Sequence, residues 1–219
     1  MKYNTLDISL IIPYFNESKK LENTLNNIFD LTIKPKEIIF VNSSSKDNSN
    51  SILNELIKKY QYNNINIYNY SPSSIFPSTS INFGISKSNY DLIAIMDCDL
   101  IIPKNWLEVQ FNLLNKNNYD VVFGTVVLKG CSDIDAAFVS HTYGYNKVNL
   151  CIPGTLCRKE IFYKIGFFEN RRACYDISWR NLVKKNFNWS YDKSISLSYP
   201  NVNYANSFLF GLKKNIIYL

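Results

Sequence analysis

Asp97-Cys98-Asp99 places two carboxylates two residues apart, directly after the apolar run Leu92–Met96. Side chains at i and i+2 off a strand end can aim at one hard cation, and an oxygen donor pair suits Mg²⁺ or Mn²⁺. The same pattern also arises as a plain solvated turn, and its surroundings decide between the two. Soft-metal chemistry has little support. The five cysteines, Cys98, Cys131, Cys151, Cys157 and Cys174, include no CxxC pair, and His141 is the only histidine. A structural zinc site is therefore not expected, and reduced thiols in a cytoplasmic protein are.

The elements around the pair follow an α/β rhythm. Ile8–Ile12 reads as a buried strand closed by Pro13, and Leu21, Leu25 and Ile28 mark one face of a helix. Pro35 ends that region and Glu37–Val41 is the next strand. Asp47 can cap a second helix carrying Ile52, Leu53, Leu56, Ile57 and Tyr60. Ile65–Tyr70, Ser80–Ser88 and Leu92–Met96 supply strand, helix and strand, the last running into Asp97. Alternation at this spacing implies parallel strands with crossover helices. Ligands of such sheets sit outside the carboxyl ends of the strands. That rule selects three polar loops: Pro13–Glu17, Asn42–Asp47 and Asp97–Asp99.

The second half is less regular. Asp120–Leu128 reads as a strand, Gly130–Gly144 stays unassigned, and Arg158–Ile165 is a short helix stopped by Gly166. Asp176–Lys185 is a further helix with Asp176 as its N-cap. A length of 219 residues suits one compact domain, and 46% hydrophobic with 19% charged residues is ordinary for a globular chain. The net charge of +6 is too dispersed for a nucleic-acid partner but favours anionic ligands. Met1–Asp7 lacks an apolar signal region, and no apolar run approaches the ~18 residues of a spanning helix. The expected setting is cytoplasmic, with any membrane contact peripheral. The tail Phe208–Lys214 with Ile216–Leu219 could lie on a membrane, although packing on the core or a partner suits its length better.

Four segments, in order, resemble glycosyltransferase family 2, whose members have the GT-A fold. Ile8–Glu17 is similar to that family's opening strand and P-x-x-N-E loop, and Val41–Ser49 to its V-D-D-G-S-x-D-x-S turn. Asn82-Phe83-Gly84-Ile85 with Asp91–Asp99 resembles its N-x-G-I…D-x-D run. Gly154–Glu160, Ile165–Phe168 and Ser178-Trp179-Arg180 look like its acceptor-side half. The resemblance implies a GT-A, Rossmann-like single domain over 1–219, with a mixed, mostly parallel sheet flanked by helices. Residues 7–100 would bind the nucleotide-sugar and 101–219 the acceptor.

It also implies roles. Phe15 would lie against the nucleobase with the backbone around Pro13 nearby, unless it is a core aromatic. Glu17 would help hold the donor pocket, or serve as a carboxylate at a helix N-terminus. Asn42 stands where the family has an Asp that accepts the base N3–H; its amide can accept or donate. Ser43 and Ser44 replace the usual acidic residue and Gly, with Ser44 on the nucleotide side. Gly84 would permit close backbone approach to the donor, or serve as a packing glycine. Asp97 would touch the ribose or a metal-bound water, and Asp99 would ligate the cation. The acceptor side departs from the family: its Glu-Asp pair falls on Ala173 and Cys174, and its Arg in the helix before the D-x-D run is Ile81. Asp176 is the nearest carboxylate and the candidate base, with Glu169 second.

The resulting expectation is a metal-dependent, inverting transferase. It would move a sugar from a nucleoside diphosphate donor, UDP-linked, to a glycan or lipid-linked hydroxyl in polysaccharide biosynthesis. The alternative is a catalytically impaired GT-A domain that binds a nucleotide-sugar or a protein partner. A sugar-nucleotide pyrophosphorylase is disfavoured, because no Gly-rich loop with trailing Arg and Lys follows the first strand.

Overall fold

A computed structural model of the chain describes residues 4–60, 64–73, 76–98, 100–127, 148–171 and 174–199. Strand β1 (Thr5–Tyr14) alternates its side chains between two cores. Ile8, Leu10 and Ile12 join one apolar cluster, while Ile11 joins the other. Strand β2 (Lys34–Asn42) does the same, with Ile38 and Phe40 on the first face and Ile39 and Val41 on the second. A strand buried on both faces reads as an unbroken apolar run, which is how these two were recognised.

Helices cover both faces. On the first lie α1 (Leu21–Phe29), α2 (Ser49–Tyr60) and α4 (Trp106–Lys116), contributing Leu25, Leu53 and Trp106. On the second lie α3 (Pro77–Lys87), α5 (Glu160–Ile165) and α6 (Tyr175–Asn186), contributing Ile85, Phe162 and Trp179. The remaining described strands are β3 (Asn66–Tyr70), β4 (Leu92–Ile95), β5 (Val121–Val127), β6 (Val148–Arg158) and β7 (Trp189–Tyr191). They form one sheet in the order β3-β2-β1-β4-β6-β5-β7. Strands β1 to β4 pair in parallel, whereas β6 runs antiparallel to both β4 and β5. The sheet is thus mixed and mostly parallel on its amino-terminal side, as expected.

Several local expectations need correction. Pro13 does not close β1 but pairs with Val41 inside it. Strand β4 ends at Ile95 opposite Ile11, so no β4 partner lies opposite Pro13 to need the amide hydrogen that proline lacks. Pro35 lies near the start of β2 beside a register shift, where a strand tolerates proline. Strand β6 was not anticipated. Its Pro153-Gly154 forms an irregularity in the β5–β6 ladder, with Gly154 at φ 84°. A Cβ on Gly124 would stand 2.0 Å from the Pro153 carbonyl oxygen, so only glycine fits there. Helix α4 was also passed over, although Trp106, Leu107, Gln110 and Leu114 mark its buried side.

Asp176 is not an N-cap. Helix α6 starts one residue earlier, and Cys174 occupies the cap position at φ 57° with no side-chain cap bond. Ala173, the unassigned Gly130–Gly144 segment and the tail from 208 onward lie outside the described residues. Among the described residues, no helix is long and apolar enough to cross a membrane.

Candidate active site

The carboxyl ends of β1, β2 and β4 open onto one cleft of about 370 Å³. Pro13, Phe15, Glu17, Ser43, Pro77, Asp97, Cys98 and Tyr175 line it. Two of the three loops selected from the sequence are sewn together by their own polar groups. The Asn16 amide donates to Ser45 Oγ (3.0 Å), and the Lys46 amide donates to Asn16 Oδ1 (2.8 Å). The Glu17 amide donates to Ser49 Oγ (2.8 Å) and the Ser18 amide to Asp47 Oδ2 (3.2 Å). Asp47 also accepts the Ser49 amide at the start of α2, so its capping role holds and extends across the loop pair.

These bonds carry a pH dependence. Asp47 is held down to about 2, first by the Ser49 hydroxyl, then by the Ser49 amide and by Ser18. A carboxyl depressed in the fold stabilises it above the unfolded value near 3.9, and that contribution is lost as pH falls through the folded value. An NMR titration should therefore show the Asp47 carboxyl and the Ser18 and Ser49 amides moving together with a midpoint near 2. A midpoint at the ordinary carboxylate value would show that the loops are not joined in this way.

The predicted donor residues separate in the structure. Phe15 is 52% exposed on the cleft wall rather than buried in the core. Glu17 lines the cleft, and its carboxylate pairs with Lys20 at 3.0 Å in the turn before α1. Asn42 is buried under its loop. Its Oδ1 accepts the Ser45 amide (2.8 Å) and its Nδ2 donates to Ser71 Oγ at a long 3.4 Å. Ser44 adopts φ 65°, a left-handed backbone suited to the glycine this turn resembles. Gly84 lies on α3 where a Cβ would come 2.5 Å from Ile11 Cγ2, so its close approach is to the sheet.

Asp97 is half-buried at the end of β4, and its Oδ2 accepts the Tyr199 hydroxyl at 2.7 Å. The Thr24 hydroxyl donates to the Cys98 carbonyl in the same turn. Asp99 lies outside the described residues. Among the described residues, no group of three or more His, Cys, Asp or Glu side chains gathers to hold a metal. A cation here would take Asp97, with Asp99 from the same turn, and complete its shell with phosphate oxygens and water. Mg²⁺ and Mn²⁺ accept that mixture of few carboxylates and many substrate oxygens, so the residues present fit.

Across the cleft stands the start of α6. Burial pushes the Tyr175 phenol above its ordinary range, with Asp97 and then Asp176 adding to the shift. Burial likewise raises the Cys151 thiol, and both carboxylates act on it in the same direction. Asp97 and Asp176 therefore act on the same two groups. Asp176 Oδ2 lies 3.1 Å from Arg180 Nε, an ion pair without hydrogen-bond alignment, and Arg180 Nη1 donates to the Leu150 carbonyl (2.7 Å). Glu169 is paired with Arg171 at 2.6 Å. Tyr175 and Tyr199 were missed from sequence. The first had only its adjacency to Asp176 as a signal, and the second had none, because 102 residues separate it from Asp97.

A parallel sheet whose carboxyl edge carries a polar cleft and an acidic turn, extended by antiparallel strands, defines a GT-A fold. The chain belongs to glycosyl transferase family 2, whose model matches residues 9–179. It is similar to poly-beta-1,6-N-acetyl-D-glucosamine synthase of Staphylococcus aureus, with 29% identity over 119 residues, or 54% of this chain and 27% of that one. The structure of Staphylococcus aureus TarS 1-349 in complex with UDP-GlcNAc superposes with a TM-score of 0.68 at 16% identity, covering 92% of this chain and 61% of that one. The mannosyltransferase PcManGT from Pyrobaculum calidifontis, in complex with GDP-Man and Mn²⁺, superposes with a TM-score of 0.65 at 12% identity, covering 91% and 59%. The chain thus spans less than two thirds of the length of each.

Proposed function

We propose that the protein is an inverting glycosyltransferase that takes a sugar from a UDP-linked donor, in the first instance UDP-GlcNAc, to a hydroxyl of a glycan or lipid-linked acceptor. The observation that carries this reading is the Asp97 turn on a cleft that is also lined by Tyr175, the residue before Asp176 at the start of α6. The donor name comes from TarS, whose structure contains UDP-GlcNAc, and from the N-acetylglucosamine polymer synthase.

The residues divide the work between the two walls. Phe15 offers an exposed ring for the base beside Pro13, and residues 7–100 hold the nucleotide. Asn42, with Ser44 in the same turn, shapes the base end; its amide is already engaged within the loop. Asp97 and Asp99 would hold Mn²⁺ or Mg²⁺, which when bound neutralises the leaving diphosphate. Asp176 takes the proton from the acceptor hydroxyl as that oxygen attacks the anomeric carbon. The bond from that carbon to the diphosphate breaks, and UDP leaves. Arg180 orients Asp176 through the ion pair and is itself anchored on the β6 backbone.

The test is a thermal shift with UDP, GDP, UDP-GlcNAc and GDP-Man, each with and without Mn²⁺. A ligand that binds the folded state alone stabilises it by mass action, about 2.7 kcal/mol at a hundredfold excess over Kd. UDP and UDP-GlcNAc should raise Tm in the presence of Mn²⁺ and the guanosine ligands should not. Equal shifts with both bases would remove the uridine assignment. Binding of UDP-GlcNAc without donor hydrolysis or transfer would put the non-catalytic alternative first.

A further inference from the structure

The chain after β7 returns to the cleft. Following a single 3₁₀ turn (Lys193–Ile195), residues 196–199 run between β5 and the segment beyond the acidic turn. The backbone is bonded on both sides. The Leu197 amide donates to the Thr125 carbonyl (2.7 Å), and the Val127 amide donates to the Leu197 carbonyl (3.0 Å). On the other side, the Ile101 amide donates to the Ser198 carbonyl (2.9 Å) and the Ser198 amide returns to the Ile101 carbonyl (3.2 Å). Leu197 is buried and closes against Gly154, where an added Cβ would stand 2.1 Å from Leu197 Cδ1. The strap is therefore seated on the β5–β6 irregularity.

Tyr199 follows the bridge. Its side chain packs against Val126, and its hydroxyl donates to Asp97 Oδ2 at 2.7 Å. The acidic turn is thus gripped upstream at Asp97 by Tyr199 and downstream at Ile101 by Ser198, with Thr24 on the Cys98 carbonyl between them. A carboxylate that must present an oxygen to a cation or a ribose gains from a fixed rotamer, and a hydrogen bond to one of its oxygens supplies that restraint. A part-buried contact made by a segment 102 residues away cannot restrain the turn unless both ends are seated, and here both are.

We infer that the strap 196–199 clamps the Asp97–Ile101 turn and that Tyr199 is a positioning residue for the donor-binding carboxylate. This rests on the donor reading above for its second half only; the clamp itself is a property of the ligand-free protein. Asp97 is then held from the acceptor half of the chain, so disturbance of the strap is felt at the donor diphosphate.

Tyr199→Phe removes the hydroxyl and keeps the ring that packs on Val126. Two measurements test it. Amide hydrogen exchange over Met96–Ile102 in the ligand-free variant should quicken by about 5-fold, the worth of one ordinary hydrogen bond. UDP affinity by calorimetry should fall by about 10-fold with Mn²⁺ present and stay unchanged in EDTA, because only the cation-dependent part passes through Asp97. Unchanged exchange overturns the clamp. Faster exchange with unchanged Mn²⁺-dependent affinity overturns the positioning role. An equal loss with and without Mn²⁺ also overturns that role, because it shows general damage to the cleft. If the parent binds no UDP with Mn²⁺, the donor reading and the positioning role fall together, while exchange still decides the clamp.

Discussion

Asp176→Asn should lower sugar transfer by roughly 10²-fold or more, the usual worth of a positioned general base. An amide is nearly isosteric with the carboxylate but cannot take a proton at pH 7. The fold should barely register the change. Asp176 is a first-turn residue with no capping bond, and its ion pair with Arg180 spans one helical turn. Such a pair is worth about 0.3–0.5 kcal/mol, which moves Tm by about 1–2 °C in a chain of this size. Kinetics and calorimetric melting on the same preparation therefore separate chemistry from stability. Donor affinity should also hold, because Asp176 lies outside the group of residues that line the donor cleft. Transfer at the parent rate would remove Asp176 from the mechanism. Glu169 would follow as the next carboxylate, although Arg171 already occupies it at 2.6 Å.

Neutralising the acidic turn should have the second large effect. Asp97→Asn and Asp99→Asn each remove one anionic oxygen donor from a turn that offers few. UDP affinity in Mn²⁺ should drop by about 10- to 100-fold in either variant, and the difference between Mn²⁺ and EDTA should shrink toward nothing. Asp97→Asn keeps an oxygen that can accept from Tyr199, so the strap contact survives and the loss reports on charge. Calorimetric titration of UDP into each variant, with and without the metal, makes the comparison. Unchanged affinity and unchanged Mn²⁺ dependence would rule out a metal at this turn.

How much of this was legible in the sequence depends on whether the determining interactions are local. Strands β1, β2 and β4 were readable because each is buried on both faces, which forces a continuous apolar run such as Ile8–Ile12. The polar loops after them were readable for the converse reason: a parallel sheet puts its ligands at the carboxyl edge. Pro13, Phe15, Glu17 and Asp97 do line one cleft there. Asp47 was likewise a local matter, since its main partner, Ser49, is two residues away.

Strand β6 and the α6 cap were not legible, because long-range packing overrode local preference. In β6 the approach of Gly124 to the Pro153 carbonyl builds Pro153-Gly154 into the strand as an irregularity. Cys174 holds a left-handed cap position that favours glycine or asparagine, and Asp176, the better capping residue, falls inside the helix. Fold class, family and the acidic turn were readable from the residues alone, because these rest on periodicity and on short motifs. That Gly84 packs on the sheet, that Asn42 is bonded within its own loop, and that Tyr199 reaches Asp97 emerges from the folded molecule. Those facts depend on which distant backbones come within a few ångströms of one another, and a side chain's identity carries no record of that distance.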